Sequence, residues 1–107
     1  MAAVAAPIRL IAMGSEPTVT DNAEQHRWEL VLDGTRIGLI DYRVDGDVIV
    51  YRHAEVDPAH GGEGLGSRMA RVALDDARAR GLRIRPRCPF VADFVARHAR
   101  EYGDLVT

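Results

Sequence analysis

A glycine-rich segment near the middle of the chain has the residue types and spacing that bind a phosphate group. Four glycines occur within six residues: Gly61, Gly62, Gly64 and Gly66. Glycine lets the main chain turn tightly and approach a ligand with no side chain in between. Helical periodicity begins at Leu65, so the amides of this bend lie at a helix N-terminus, which favours an anion. The segment therefore predicts a phosphate-binding loop, and the alternative is a permissive turn into a helix.

A histidine and a glutamate lie a few residues upstream of this bend. His53 and Glu55 are two positions apart in an extended run, so we expect them on one face of a strand together with Ile49 and Tyr51. Histidine is the side chain best suited to accept a proton near neutral pH. His53 is thus a candidate general base, and the alternative is a partly buried histidine with no chemical role.

The chain has a single cysteine, Cys88. It cannot form an internal disulfide, which favours a reducing, cytoplasmic setting. Its thiol has two interpretations: a small buried hydrophobic group, or a group that takes part in chemistry as a nucleophile or an acid. The four histidines and this cysteine do not show the spacing of metal ligands, so we predict no metal.

Three extended runs come before the bend and position its residues. Trp28 to Leu32, Ile37 to Val44 and Val48 to Val56 have the pattern of strands. The pairs Asp33-Gly34 and Asp45-Gly46 separate them, and Asp-Gly is a strong hairpin signal. Together these features predict a three-stranded antiparallel meander.

Helical and then strand patterns follow the bend. Apolar residues recur with helical spacing from Leu65, and Gly81 is expected to end that helix. Leu82 to Cys88 alternates again and, as the strand after a crossover helix, should lie parallel to the third strand. A last helix is expected over about Val91 to Arg100. One face of the strand has three arginines, for which solvated surface is favoured over a phosphate or nucleic-acid site: Arg83, Arg85 and Arg87.

Length and composition limit the classes of function. The 107 residues form one domain, which we place at residues 19–107 after an N-terminal extension of residues 1–18, where Ile8 to Met13 has the pattern of a short strand. The net charge of −2 gives no reason to expect a nucleic-acid partner. All 14 basic residues are arginine, so no lysine can form a Schiff base or serve a P-loop. No membrane-spanning apolar run and no targeting segment is recognised.

The meander, the bend, the helix and the parallel strand together resemble the coenzyme A-binding half of the GNAT acyltransferase superfamily. Its signature at the bend is Arg or Gln, two residues, Gly, one residue, then Gly or Ala. Gly64 and Gly66 fill the glycine positions, while Gly61 stands where Arg or Gln is usual. The chain is more similar to the short GNAT-like N-acetyltransferases, which lack the superfamily's first strand and first helices. The matching segments are Gln25–Leu30, His53–Val56, Gly62–Ser67, Cys88–Val91 and Arg97–His98.

This resemblance implies a fold, an activity and a cofactor. The fold is the minimal acyl-CoA N-acyltransferase fold of the α/β (α+β) class, an antiparallel three-stranded meander followed by a helix, a parallel strand and a helix. The activity is transfer of an acetyl group from acetyl-coenzyme A (acetyl-CoA) to an amine; the alternatives are a non-catalytic coenzyme A-binding module and a protein-interaction domain. The residues expected at the cofactor are Glu55, Val56, His60, Gly61, Gly62, Glu63, Gly64, Leu65, Gly66, Ser67, Arg68 and Phe90, with Arg97 and His98 as further candidates.

The same resemblance assigns chemistry to His53 and Cys88. A lysine-like amine must lose its proton before attack, which costs roughly 4 to 5 kcal/mol at pH 7, and His53 is the expected base. Cys88 is expected either to accept the acetyl group as a thioester or to protonate the departing thiolate. Phe94-Val95 falls where many larger GNAT enzymes have a tyrosine acid. The missing first helices leave an open groove, which suits a protein or peptide amine, or else a dimer partner that completes the site. We expect a monomer or a homodimer with no membrane partner.

Overall fold

The computed structural model describes residues 16–107, which form one mixed β-sheet with helices packed against one face. The strands lie in the sheet in chain order: β1 (Thr18–Asn22), β2 (Arg27–Leu32), β3 (Thr35–Asp45), β4 (Val48–Val56) and β5 (Arg83–Pro86). The helices are α1 (Leu65–Ala79), α2 (Pro89–Arg97) and α3 (Ala99–Tyr102). Short 3-10 turns cover Ala23–Gln25, Pro58–His60 and Gly103–Leu105.

The predicted meander is confirmed. β2, β3 and β4 pair antiparallel, and β4 has the bounds that the sequence predicts. At the first turn, Asp33 has φ 52° and Gly34 has φ 78°, the left-handed backbone that a two-residue hairpin requires. β5 pairs parallel with β4 from Val48 to Tyr51, so the predicted crossover is confirmed as well.

The sequence does not predict β1. This strand pairs antiparallel with β2, so the antiparallel part of the sheet has four strands instead of three. Four of its five residues are polar, and its one apolar side chain, Val19, packs against the core. The period-two signal is therefore weak, and the strand depends on tertiary contacts such as the hydrogen bond of 2.7 Å that the Tyr42 hydroxyl donates to Asp21. The short strand expected at Ile8 to Met13 lies outside the described residues.

The last helix differs from its expected bounds. α2 begins at Pro89, because a proline at the first helical position lacks only an amide that would have no partner there. The helix ends at Arg97, and the chain turns at His98 before α3, so a single helix over Val91 to Arg100 is wrong. His98 Nδ1 donates to the Phe94 carbonyl at 2.8 Å and its ring stacks on the Phe94 ring at 4.1 Å. These contacts hold the His98 ring against the C-terminal end of α2.

The hydrophobic core fills the space between the sheet and the helices. α1 ends at Ala79, and Gly81, with φ 72°, turns the chain into β5 as predicted. The largest fully buried side chains come from β2 to β5 and from all three helices: Leu30, Ile40, Ile49, Tyr51, Met69, Leu74, Ile84, Val91, Phe94 and Tyr102. No helix within residues 16–107 is long and apolar enough to cross a membrane.

Candidate active site

One extra residue in β4 decides which of its side chains face the core and which face solvent. Asp41 of β3 pairs with His53, but the next residue of β3, Tyr42, pairs with Tyr51, so Arg52 has no partner. Such a bulge bends the strand and re-aims the side chains that follow it. It lies directly before the residues that the sequence assigns to chemistry.

The bulge changes the expected alternation of β4. Ile49 and Tyr51 belong to the core, and after the bulge it is Ala54 that packs against the core. His53 and Glu55 therefore do not share a face with Ile49 and Tyr51, and that prediction is wrong. They project from the other face of the sheet, which we call the open face. The strand pairing also places on it Glu29, Leu39, Asp41, Arg43, Val50 and Arg85.

His53 and Glu55 form an exposed pair on this open face. His53 Nε2 lies 2.7 Å from Glu55 Oε2, and the side chains are 59% and 65% exposed. An ionised carboxylate only accepts hydrogen bonds, so the proton of this contact belongs to Nε2. In the neutral ring Nδ1 is then the free acceptor. The arrangement gives an oriented imidazole with one nitrogen available to take a proton from an incoming group.

The glycine-rich bend leads into an uncapped helix N-terminus. Gly62 and Gly64 have φ 81° and 76°, a left-handed backbone that favours glycine. Gly64 precedes α1, and no side chain of the described residues, 16–107, caps this terminus. The amides of Leu65, Gly66 and Ser67 therefore have no intrahelical acceptor. A cavity of about 310 Å³ at this terminus is lined by Val56, His60, Gly61, Gly62, Gly64, Leu65, Gly66, Ser67 and Phe90.

The glycines of the bend serve different purposes. A Cβ on Gly66 would lie 2.9 Å from Phe90 Cζ and 3.3 Å from Val56 Cγ2, so this position must be glycine to let α1 pack against Phe90. Gly61 has φ −66°, which any residue adopts. Positive φ therefore favours glycine at Gly62 and Gly64, and close packing requires it at Gly66.

A second cavity extends the first toward the bulge. It has a volume of about 140 Å³ and is lined by Ala54, Glu55, Val56 and Phe90. Val56 and Phe90 line both cavities. The two form one groove, which runs from the N-terminus of α1 along β4 to Ala54. Sequence reasoning missed Ala54, whose small side chain between His53 and Glu55 has no signal of its own.

One wall of this groove is a free strand edge. β5 stops pairing with β4 at Tyr51, so within residues 16–107 the remainder of β4 has no neighbouring strand on that side. The Asp57 amide donates to the Ile37 carbonyl of β3 at 2.7 Å. Because main-chain groups alternate sides along a strand, those of Ala54 and Val56 point away from β3 and toward the gap. They are available to hydrogen-bond an extended ligand.

Two charged residues expected at the cofactor are held by other side chains. The Glu63 carboxylate accepts from His60 Nδ1 at 3.3 Å and is half exposed, so it faces solvent beside the cavity. Arg68 Nη2 lies 3.4 Å from Glu16 Oε1, and neither residue lines the cavity. Of these four side chains, only His60 lines the groove itself.

Cys88 lies in the core at the N-terminus of α2. It is 3% exposed, and its amide donates to the Tyr51 carbonyl at 3.1 Å. Burial raises the pKa of the Cys88 thiol, although nearby amides of the first turn of α2 act in the opposite direction. The thiol therefore stays protonated near neutral pH. Cys88 belongs to the core and His53 to the open face, so the structure does not bring the two together on one face.

Tyr102 packs α3 against α1. It is 2% exposed; its hydroxyl donates to Asp75 Oδ1 at 2.7 Å and accepts from Arg71 Nη1 at 3.2 Å. Burial, with the Asp75 carboxylate, raises the pKa of Tyr102 to about 12. Within residues 16–107, no group of three His, Cys, Asp or Glu residues could hold a metal ion.

A comparison with protein families gives a match over most of the described residues. A family model described as GCN5-related N-acetyl-transferase matches residues 27–105. The chain belongs to this family. The resemblance inferred from the glycine bend and its neighbouring segments is therefore confirmed, and the family is one of N-acetyltransferases.

Two solved structures share the fold of this GCN5-related protein. The NMR structure of a GCN5-like protein from Staphylococcus aureus is 23% identical, with a TM-score of 0.62 over 88% of this chain and 89% of that one. The crystal structure of the ribosomal-protein-S18-alanine N-acetyltransferase from Escherichia coli is 18% identical, with a TM-score of 0.53 over 71% of this chain and 46% of that one. At these identities the similarities support the fold alone, and they confirm the predicted fold class. No functionally curated sequence matches the chain.

Proposed function

We propose that this protein binds acetyl-CoA in the groove between α1 and β4 and transfers the acetyl group to a protein or peptide amine. The observation that carries the proposal is the continuity of the groove: it begins at an uncapped helix N-terminus and ends at the free edge of β4 beside Ala54. Membership of an N-acetyltransferase family supports the same activity.

The wide end of the groove suits the pyrophosphate of the cofactor. The free amides of Leu65, Gly66 and Ser67 and the positive end of the α1 dipole favour a dianion there. His60 lines the same cavity, with its Nδ1 turned to the Glu63 carboxylate. Glu63 is turned toward His60, which keeps its carboxylate from facing the phosphates.

The narrow end of the groove suits the amide-containing arm and the thioester. The main-chain groups of Ala54 and Val56 can pair with the amides of this arm as a neighbouring strand would. A main-chain amide at this edge can also polarise the thioester carbonyl as it becomes tetrahedral. Phe90 closes the other side of the groove. Catalysis then rests largely on holding the thioester and the amine together.

His53 is the proposed general base. It is adjacent in sequence to Ala54 but projects from the open face, where an amine can approach. Nδ1 takes the amine proton, directly or through water, while Glu55 orients the ring. The neutral amine nitrogen forms a bond to the acetyl carbonyl carbon and loses its second proton to solvent, and the C–S bond of the thioester then breaks.

Cys88 is the proposed proton donor to the departing thiolate of coenzyme A. A thiol with a raised pKa stays protonated, which fits the acid role better than that of an acetyl acceptor. Cys88 lies two residues before Phe90, which lines the groove. Solvent restores the proton after the product leaves.

The open face favours a macromolecular acceptor. It offers the incoming amine a broad, half-exposed strand surface at His53 and not an enclosed pocket. The structural neighbour from Escherichia coli is named for an alanine of ribosomal protein S18. A protein or peptide amine is therefore the acceptor that we propose.

Titration calorimetry followed by mass spectrometry tests this function. Acetyl-CoA and coenzyme A are titrated into the protein, and acetyl transfer is then followed with peptide amines, polyamines and aminoglycosides. We expect binding of both cofactor forms and transfer to peptide amines. Binding without transfer to any amine would instead favour a non-catalytic coenzyme A-binding module. If neither form binds, the groove has another role and the proposal fails.

A further inference from the structure

A cavity at the other end of the sheet lies apart from the cofactor groove. It has a volume of about 470 Å³ and lies between β3 and the connection that joins β1 to β2. The residues that matter for its chemistry are Gln25, His26, Asp41, Arg43, Arg52 and Arg80. None of them is among the residues assigned above to acetyl-CoA.

Three arginines from different elements converge on this cavity. Arg43 comes from β3, Arg52 is the bulge residue of β4, and Arg80 follows α1. Arg80 pairs with Asp76 at 3.2 Å, whereas Arg43 and Arg52 form no ion pair within residues 16–107. Asp41 is the one acidic residue that lines the cavity. In a chain of net charge −2, this is a local excess of positive charge.

The basic surface continues from the cavity onto the open face. Val50 is 3% exposed although it lies outside the core cluster. Its neighbours across the strands are Arg43 on β3 and Arg85 on β5. Long arginine stems can cover apolar surface while their guanidinium groups stay in water, so arginine suits these two positions beside Val50. Arg43, Arg52 and Arg85 thus form one patch, which we call the arginine patch.

The cavity also exposes a length of β3 that pairs with no strand on this side among residues 16–107. The Tyr42 amide donates to the His26 carbonyl at 2.9 Å, and β2 begins one residue later at Arg27. Val44 lies two residues beyond Tyr42, so its main-chain groups point to the same side, where β2 supplies no partner. Such an edge accepts an extended segment as an added strand. A free phosphate or a nucleic acid would leave these main-chain groups unused.

From these features we infer that the edge of β3 and the arginine patch dock an extended, acidic segment of the peptide acceptor. The inference rests on the proposed function for the reaction itself. Asp41 lies opposite His53 in the register, and Val44 is three residues further along β3. Three residues of strand span about 10 Å. If the amine of the acceptor lies at His53 and Asp41, acidic side chains that follow it by about three residues reach the arginine patch.

Matched peptides test this inference. One peptide amide has a free N-terminal alanine and glutamates at its fourth and fifth positions; a second has glutamines there, and a third has lysines. The specificity constant kcat/KM for acetylation should be about five- to tenfold higher for the glutamate peptide than for the glutamine peptide. The lysine peptide should be the poorest acceptor.

Charge-neutral variants connect that preference to the arginine patch. Arg43→Gln together with Arg52→Gln retains part of each stem and should abolish the preference, with acetyl-CoA affinity and melting temperature unchanged. Arg100→Gln on α3 is the matched control, since Arg100 is an exposed arginine on the helix-bearing side. Its preference should equal that of the wild type.

A binding assay separates this inference from the proposed function. A fluorescent glutamate peptide with an acetylated N-terminus cannot react, and its anisotropy reports docking alone. Docking that depends on Arg43 and Arg52, without transfer to any free peptide, would support the inference while the proposed function fails. Equal binding of the glutamate and glutamine peptides would overturn it. So would equal displacement by single-stranded DNA, or self-association of the wild type that the double variant abolishes.

Discussion

The two faces of the central sheet come from the same strands but differ in the side chains that they present. On the helix-covered face, buried apolar side chains form the core, and within residues 16–107 no polar or charged side chain is buried there. On the open face, polar side chains pair locally, as in Arg27 with Glu29 and His53 with Glu55, both at 2.7 Å. The covered face accounts for stability, and the open face is where we propose that an acceptor approaches.

His53 and Cys88 show what this difference means for chemistry. The sequence presents both as reactive residues. The structure leaves His53 59% exposed beside a carboxylate, and it buries Cys88 to 3% exposure with a raised pKa. A base must meet the incoming amine and exchange protons with solvent, whereas a buried thiol remains protonated. The face to which a side chain projects therefore decides which role it can fill.

The largest expected effect compares neighbouring residues of β3 on the two faces. Ile40 is fully buried on the covered face, and Leu39 is half-buried on the open face. Ile40→Ala should lower the free energy of unfolding by about 2 to 5 kcal/mol, because it leaves a cavity in the core. Leu39→Ala should cost less than about 1 kcal/mol, measured by urea unfolding. Equal losses would mean that the open face is covered in solution.

Removing the proposed base should affect turnover more than binding. His53→Ala should lower kcat for peptide acetylation at pH 7 by about a hundredfold, because the amine must then lose its proton without help. The dissociation constant of acetyl-CoA should not change, since His53 lies on the open face and not in the groove. The loss should shrink as pH rises toward the amine pKa. A constant loss across pH, or a weaker cofactor affinity, would make His53 structural.

Two glycines with the same backbone strain distinguish the cofactor loop from an ordinary turn. Gly64 has φ 76° and Gly81 has φ 72°, and a Cβ at either position would meet nothing within 4 Å. Alanine at each should cost about 1 kcal/mol of stability. Only Gly64→Ala should also weaken acetyl-CoA binding, by about tenfold, because it perturbs the amides that face the phosphates. Equal cofactor affinities in calorimetry would place the phosphates elsewhere.

The smallest expected effect concerns the buried thiol. Cys88→Ala should lower kcat only about three- to tenfold, since a thiolate with an ordinary pKa departs without full protonation. A separate measurement reports the protonation of the Cys88 thiol. Because its pKa is raised, less thiolate is present at a given pH than for a free thiol. Iodoacetamide should therefore modify the folded protein much more slowly than the urea-unfolded protein at pH 8. An acetyl adduct at Cys88 in an intact-mass spectrum would show the opposite, a nucleophilic cysteine.

The sequence predicts the local elements of this protein because their signals are local. Period-two patterns and the Asp33-Gly34 turn predict the meander, and the helix and strand after the bend predict the parallel crossover. The four glycines point to the wider cavity of the groove before any contact is known. The strand β1 lacks such a signal, since Val19 is its only apolar residue, and tertiary pairing with β2 forms it.

Only the tertiary structure decides how these elements form a site. The bulge at Arg52 arises from the register of β3 on β4, in which Asp41 pairs with His53 but Tyr42 pairs with Tyr51. It turns His53 to the open face. The requirement for glycine at Gly66 comes from Phe90, more than twenty residues away, and not from the bend itself. Strand register and close packing join distant parts of the chain. Composition, periodicity and turn signals therefore determine the elements of this protein, while its folded contacts determine which face each reactive side chain occupies.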